Sequence, residues 1–284
     1  MDFIVNQTFN GLSYAALLFL FASGLSLIFG VMKIVNLAHG SLYLLGGYVA
    51  ISWLRFADTY SLAYLAAAVV TGLLGIFMVR TFLRRVSGND LGQVLITMGF
   101  ALVIQDLCLL IWGGDPFTVD PPAAISGSLE LGPWVFPRYR VFIIAVAVVV
   151  GFGLWIFQNK TRGGAYVRAA VDHEEMARAM GINVPLVFMG VFAAGTILAA
   201  TAGVIGAGFL GVYPGLDFEI LPYAFVVVIL GGRGSLQGAV VGSLIVGLVD
   251  NFGKVLFPQI SYFTLFAPMV LILALKPSGL FGKA

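Results

Sequence analysis

Apolar residues run in long unbroken blocks along this chain instead of alternating with polar ones. Blocks with no charge, or nearly none, cover 12–31, 34–54, 62–79, 91–112 (interrupted by Asp106), 141–157, 184–212, 220–232, 234–249 and 260–275. The first holds 20 residues, the length a helix needs to cross a hydrocarbon core of about 30 Å. The pattern predicts nine spans, within a range of eight to ten. The spans are expected to be helical, since a membrane barrel would show alternating strands of about ten residues. Composition agrees: 60% of the chain is hydrophobic and 10% charged, against about 25% charged in soluble domains. The expected fold class is an all-α integral membrane protein, a polytopic helical bundle forming one domain over 1–284.

Charge then orients the bundle. Basic residues gather at Arg80, Arg84 and Arg85 and again at Lys160, Arg162, Arg168 and Arg178. The positive-inside rule places both loops in the cytoplasm. With Lys276 and Lys283, nine of the fifteen basic residues fall on that side, which implies an external amino terminus and an internal carboxyl terminus. No basic n-region precedes the first span, so that span is expected to be retained. The loop 113–140 is then external. Its prolines at 116, 121, 122, 133 and 137 exclude a helix, and it reads either as a surface for an extracytoplasmic partner or as a plain connector. The net charge of +2 gives no reason to expect a nucleic-acid partner.

Two places resist a simple helical reading. Residues 220–249 form 30 positions with only Arg233 charged. One helix of that length would be about 45 Å long, too long for one span and short for two. The centre, Gly231-Gly232-Arg233-Gly234-Ser235, predicts a discontinuous or tightly turning pair, because glycine is a poor helix former. The other break is Lys33-Ile-Val-Asn-Leu-Ala-His-Gly40, where Asn36 and His39 stand between two apolar blocks that leave no room for a long loop. Non-helical backbone at membrane depth is tolerated where protein or a water-filled cavity satisfies it, so such breaks commonly mark a substrate path. Asn36, His39, Gly40, Gly231, Gly232, Gly234 and Ser235 are the candidate path residues. Equally open is a turn pinned by Asn36 and His39 at the cytoplasmic headgroup level.

Asp106 reads as the one carboxylate inside a span. It is a proton relay or counter-ion candidate by default, although a structural role near the outer surface is preferred. Cys108 alone supports no disulfide. His173, the only other histidine, falls in a predicted cytoplasmic loop, so no metal site is expected. The glycines at 190, 195, 203, 206, 208 and 211 are expected to allow close helix approach.

The cytoplasmic loop 159–183 carries a different signal. Asp172 followed by Glu175 has capping-box spacing, and Gly181 stands where a helix would end. The spacing predicts a short helix over 173–180, with Met176, Ala179 and Met180 on one side and Glu174 and Arg178 able to pair. Its mixed charge disfavours membrane anchoring. Docking of Asp172, His173, Glu174, Glu175, Met176, Arg178, Met180 and Gly181 into a groove on a partner protein is the expected use.

Asn36-Leu-Ala-His-Gly with Gly46 and Tyr48, Ala170 through Met180-Gly181-Ile182-Asn183, Leu230-Gly231-Gly232 with Gly234-Ser235 and Gly238, and Lys276-Pro277-Ser278-Gly279-Leu280-Phe281-Gly282 together resemble the branched-chain amino acid permease family of bacterial ABC importers. The chain departs from the family at Leu37, where phenylalanine is frequent, and at Leu236-Gln237. The resemblance implies a type II ABC importer permease in the bacterial inner membrane, in which 166–183 supplies the helix that docks on the ATPase. It also implies a second similar permease subunit, two ABC ATPase subunits and an extracytoplasmic solute-binding protein. The solute expected is a branched-chain or related neutral amino acid, with urea, short amides or aromatic acids as alternatives. No G-x-x-x-x-G-K-[ST] phosphate loop occurs, so ATP is expected to be used by the partner subunits, with no cofactor on this chain. A secondary transporter or channel is the competing class, but the chain offers few titratable groups for ion coupling.

Overall fold

In the computed structural model the described residues are 2–57, 59–132, 134–232 and 234–282; Pro133, Arg233 and Lys283, which enter the sequence expectations above, lie outside them. Among the described residues the order is α1 (Asp2–Met32), α2 (His39–Phe56), α3 (Tyr60–Thr81), α4 (Asp90–Trp112), β1 (Ser128–Leu131), β2 (Trp134–Pro137), α5 (Arg138–Lys160), α6 (Arg162–Asp172), α7 (Glu174–Ala179), α8 (Val184–Ala207), α9 (Leu216–Gly231), α10 (Leu236–Leu256) and α11 (Ser261–Leu275).

Nine of these helices fall on the nine apolar blocks. Six are long and apolar enough to span a bilayer: α1, α3, α4, α5, α8 and α10. The exceptions are informative. At 18, 16 and 15 residues, α2, α9 and α11 are about 22–27 Å long, shorter than the hydrocarbon core. Two of them, α2 and α9, begin inside the protein.

The 184–212 block does not stay helical throughout. Helix α8 stops at Ala207, and residues 208–215 turn back through Gly211 and Gly215, both at positive φ. The segment between α4 and α5 is not helical, as its prolines require, but it is not featureless either. β1 and β2 form an antiparallel hairpin with Ser128 opposite Pro137, and Phe117 bridges Val212 through reciprocal backbone bonds of 2.8 and 2.7 Å. Helix α5 starts at Arg138 and takes in the last three residues of the predicted loop.

Helix α1 is the hub, packed against α5, α8, α9 and α10. Its residues Leu17, Leu18, Leu20 and Phe21 are fully buried. By contrast α3, α4 and α5 expose Leu65, Leu73, Leu110, Val149 and Phe152, the outward apolar surface that a lipid solvent permits. Glycines set the crossing of α2 with α8. A Cβ at Gly46 would lie 2.6 Å from the Ala200 Cα, and one at Gly203 would overlap the Tyr43 carbonyl oxygen. Gly195, Gly206 and Gly208 are similarly crowded, whereas Gly190 faces open space.

A polar knot ties α9 to α10. The buried Asp250 pairs with Lys254 at 2.7 Å and accepts from the Tyr223 hydroxyl at 3.2 Å. Replacing Asp250 with alanine takes the acceptor from that hydroxyl and the partner from Lys254, so Asp250→Ala is expected to lower stability by about 1–3 kcal/mol. A detergent melting temperature equal to wild type would contradict this.

Candidate functional site

The first break is a re-entrant strap. After Met32 the chain reverses at Lys33, a non-glycine residue with φ of 55°, a conformation that costs energy and persists only when its surroundings hold it. Residues 33–38 then run without helix back along α1. Thr97 of α4 braces them: its hydroxyl accepts from the Leu37 N–H at 3.3 Å and lies 3.3 Å from the Val35 carbonyl. Helix α2 starts at His39, whose Nε2 is 2.9 Å from the Phe21 carbonyl and whose ring stacks on Phe21 at 4.8 Å. Phe21 precedes the end of α1 by 11 residues, so the start of α2 lies about 16 Å above that end. Asn36 and His39 are 0% exposed. Both are thus enclosed by protein on every side.

The second break is a different object. Helix α9 ends at Gly231 and α10 starts at Leu236, a tight turn that brings the backbones of Gly231 and Gly238 into direct contact. Gly232 (φ 98°) and Gly234 (φ 76°) adopt conformations glycine accepts without strain. A Cβ at Gly234 would lie 2.5 Å from the Gly30 Cα, and one at Gly232 would overlap the Gly282 backbone nitrogen. Ser235 caps α10, accepting from the Gly238 N–H at 3.0 Å. The carboxyl-terminal motif completes the joint: Leu280 and Phe281 donate to the Leu230 and Gly231 carbonyls at 2.9 and 3.0 Å. Those carbonyls end α9 and would otherwise lack donor partners.

The two breaks therefore meet only through Gly30 and Gly234 at the end of α1. Gly40 lies against the opposite end of α9, where it touches the Asp217 carbonyl. Beside it the Ser41 hydroxyl donates to Asp217 Oδ2 at 2.6 Å. Tyr48 and Cys108 lie within electrostatic range of the same carboxylate.

Unpartnered polar atoms gather in this one region. Among the described residues, the buried side-chain nitrogens and oxygens without a partner are Asn36 Nδ2 and Oδ1, His39 Nδ1, the Tyr43 and Tyr48 hydroxyls and Asp217 Oδ1. All six belong to the strap, the first three turns of α2, or the start of α9. An unpartnered buried polar atom costs about 1–3 kcal/mol unless water or a bound group satisfies it.

The carboxylates are placed differently from the sequence reading. Asp106 lies on an exposed side of α4, while Asp217, Glu219 and Asp250 are in helices, with Asp217 and Asp250 buried. The 220–249 block began too late to include Asp217, and nothing in spacing marks an aspartate three residues before an apolar run as buried.

In the cytoplasmic loop the short helix is present as α7, one residue shorter at each end than expected. The expected capping box is absent. Asp172 ends α6, a helix that charge patterning did not reveal, and His173 precedes α7 without a side-chain cap bond. Gly181 ends the turn with φ of 84°. Arg178 pairs with Glu174 at 2.5 Å, Ala177 packs inward against Ala170 and Val184, and Met176 and Met180 are 65% and 77% exposed.

A family model described as branched-chain amino acid transport system / permease component matches residues 7–275. The chain belongs to this family. The permease is therefore a multi-pass inner-membrane protein and a transport component. It is 28% identical to the high-affinity branched-chain amino acid transport permease protein BraD of Pseudomonas aeruginosa, over 98% of this chain and 96% of that protein. It is likewise 28% identical to the LivH permease protein of Escherichia coli K12, over 99% and 96%. The ribose import permease protein RbsC of Escherichia coli K12 is 27% identical over 95% of this chain and 84% of its own length. No solved structure matches the chain.

Among the polar group, Ser41, Tyr43, Tyr48 and Asp217 were not candidates from sequence. Tyr48 entered only as part of the motif that carries the family resemblance, and nothing in the sequence marked Tyr43; their unpartnered hydroxyls set them apart in the structure. Glycine at 40, immediately before Ser41, was the one local hint that another backbone approaches there.

Proposed function

We propose that this permease imports branched-chain or related neutral amino acids as one of two similar transmembrane subunits of an ATP-driven importer, with two ATPase subunits on the cytoplasmic side and a solute-binding protein outside. The observation that carries the path is the cluster of unpartnered buried polar atoms from Asn36 to Tyr48 and at Asp217. Alternating access would part α2 from α9 and expose those groups in turn. Helix α7 would receive the push from the ATPase through Met176 and Met180. ATP is bound and hydrolysed by the partner subunits in this reading.

The name of the ribose relative makes the solute the first thing to measure. The reconstituted complex in proteoliposomes is expected to accumulate leucine in an ATP-dependent manner and to ignore ribose, urea and aromatic acids. Ribose, urea or aromatic acid uptake in place of leucine would overturn the solute assignment. Uptake by this chain alone without ATP would overturn the importer reading in favour of a secondary transporter.

A further inference from the structure

We propose that Asp217 and the amino-terminal end of α2 form a zwitterion receptor, the Asp217 carboxylate taking the ammonium of an α-amino acid and the Gly40 and Ser41 amides with the Asn36 side chain taking its carboxylate. This rests on the import reading above and names the solute chemistry of that path.

Charge is the first argument. Asp217 is 1% exposed and forms no ion pair among the described residues. An unpaired carboxylate in the interior of a membrane protein is costly and marks a functional group. The positive end of α9 offsets part of that cost, and Ser41 bonds Oδ2. Oδ1 has no hydrogen-bond partner among the described residues, and a bound cation would complete it.

The second argument is the end of α2. Its N-cap, Ala38, has no side chain able to accept from the first turn. The His39 N–H reaches the Asn36 carbonyl at 3.3 Å and the Leu42 N–H reaches Ala38 at 2.9 Å. Between them, the Gly40 and Ser41 N–H groups have no acceptor among the described residues. A helix that starts in the membrane interior with free amides is an anion site. The fully buried Asn36 amide, lacking any partner, stands two residues before the cap.

The third argument is spacing. Ser41 belongs to both halves: its hydroxyl touches Asp217 and its amide is part of the α2 end. The cation and anion subsites thus adjoin at Ser41, as the ammonium and carboxylate of an α-amino acid flank a single carbon. A sugar or urea would leave the Asp217 charge uncompensated, and a site built around a buried charge rejects ligands that leave it unpaired. Gly40 now closes against the Asp217 carbonyl, so this conformation is occluded and parting of α2 and α9 admits the solute.

One substitution with two readouts separates charge from scaffold in the reconstituted complex. Asp217→Asn keeps an oxygen for Ser41 but removes the charge. Expected is a loss of leucine uptake of about tenfold or more in D217N, with the melting temperature of the complex unchanged. Leucine uptake by D217N within twofold of wild type, or a loss accompanied by a lowered melting temperature, overturns the receptor and leaves Asp217 a structural staple. A wild-type complex that imports no amino acid refutes the import reading itself, so the two failures are distinguishable.

Discussion

Gly203→Val is expected to abolish the folded permease in detergent, while Gly190→Val leaves it intact. Both glycines lie in α8, so helix propensity affects the two substitutions alike. They differ in what the new side chain meets. At Gly203 even a Cβ overlaps the Tyr43 carbonyl oxygen, a backbone atom of α2 that cannot rotate away, and the Gly47 nitrogen lies beyond it; at Gly190 nothing stands within 4 Å. Overpacking a core costs about 1–3 kcal/mol and more when backbone must shift. Here the shift would separate α2 from α8 and move the whole polar cluster, so a cost above about 3 kcal/mol is expected. Size-exclusion profiles and melting temperatures of the two variants check it. A monodisperse Gly203→Val protein melting with wild type would show that the α2–α8 crossing is not held by that glycine.

The double substitution Met176→Glu with Met180→Glu is expected to cut ATP-coupled uptake by at least tenfold without changing the melting temperature of the isolated permease. Both side chains are largely exposed, so the fold loses little when they change. Burying a methionine on a partner contributes about 1.5–3 kcal/mol, and a glutamate in its place adds a desolvation cost. Glu174→Ala should fall within twofold of wild type, because an exposed helical ion pair contributes less than about 1 kcal/mol. Uptake measured beside ATPase stimulation tests this. Unchanged coupled uptake in the methionine variant would remove α7 from the transmission of force.

Much of the architecture is legible in the sequence, for a physical reason. An apolar block long enough to span a bilayer reports its own solvent, since each residue's hydrophobicity is local information. The nine blocks at 12–31 through 260–275 therefore coincide with helices. Gly181 and Gly231–Gly234 were legible as helix ends because glycine acts through its own backbone. Capping was less legible: Asp172 and Glu175 have the right spacing, yet α6 runs through Asp172 because Val167 and Ala170 bury against the α7–α8 region. That competing packing is invisible in a four-residue window.

The functional cluster divides along the same line. Asn36, His39 and Gly40 stood out because polar residues between apolar blocks are conspicuous. Asp217, Tyr43 and Tyr48 did not, and Asp106 stood out although it faces away from them. Sequence by itself determined that this protein lives in a bilayer and where its helices break. Only the tertiary structure decided which polar groups share the interior, since burial depends on the face a helix turns to its neighbours and on how deep a re-entrant strap climbs. Both are set by contacts between residues as far apart as Ser41 and Asp217.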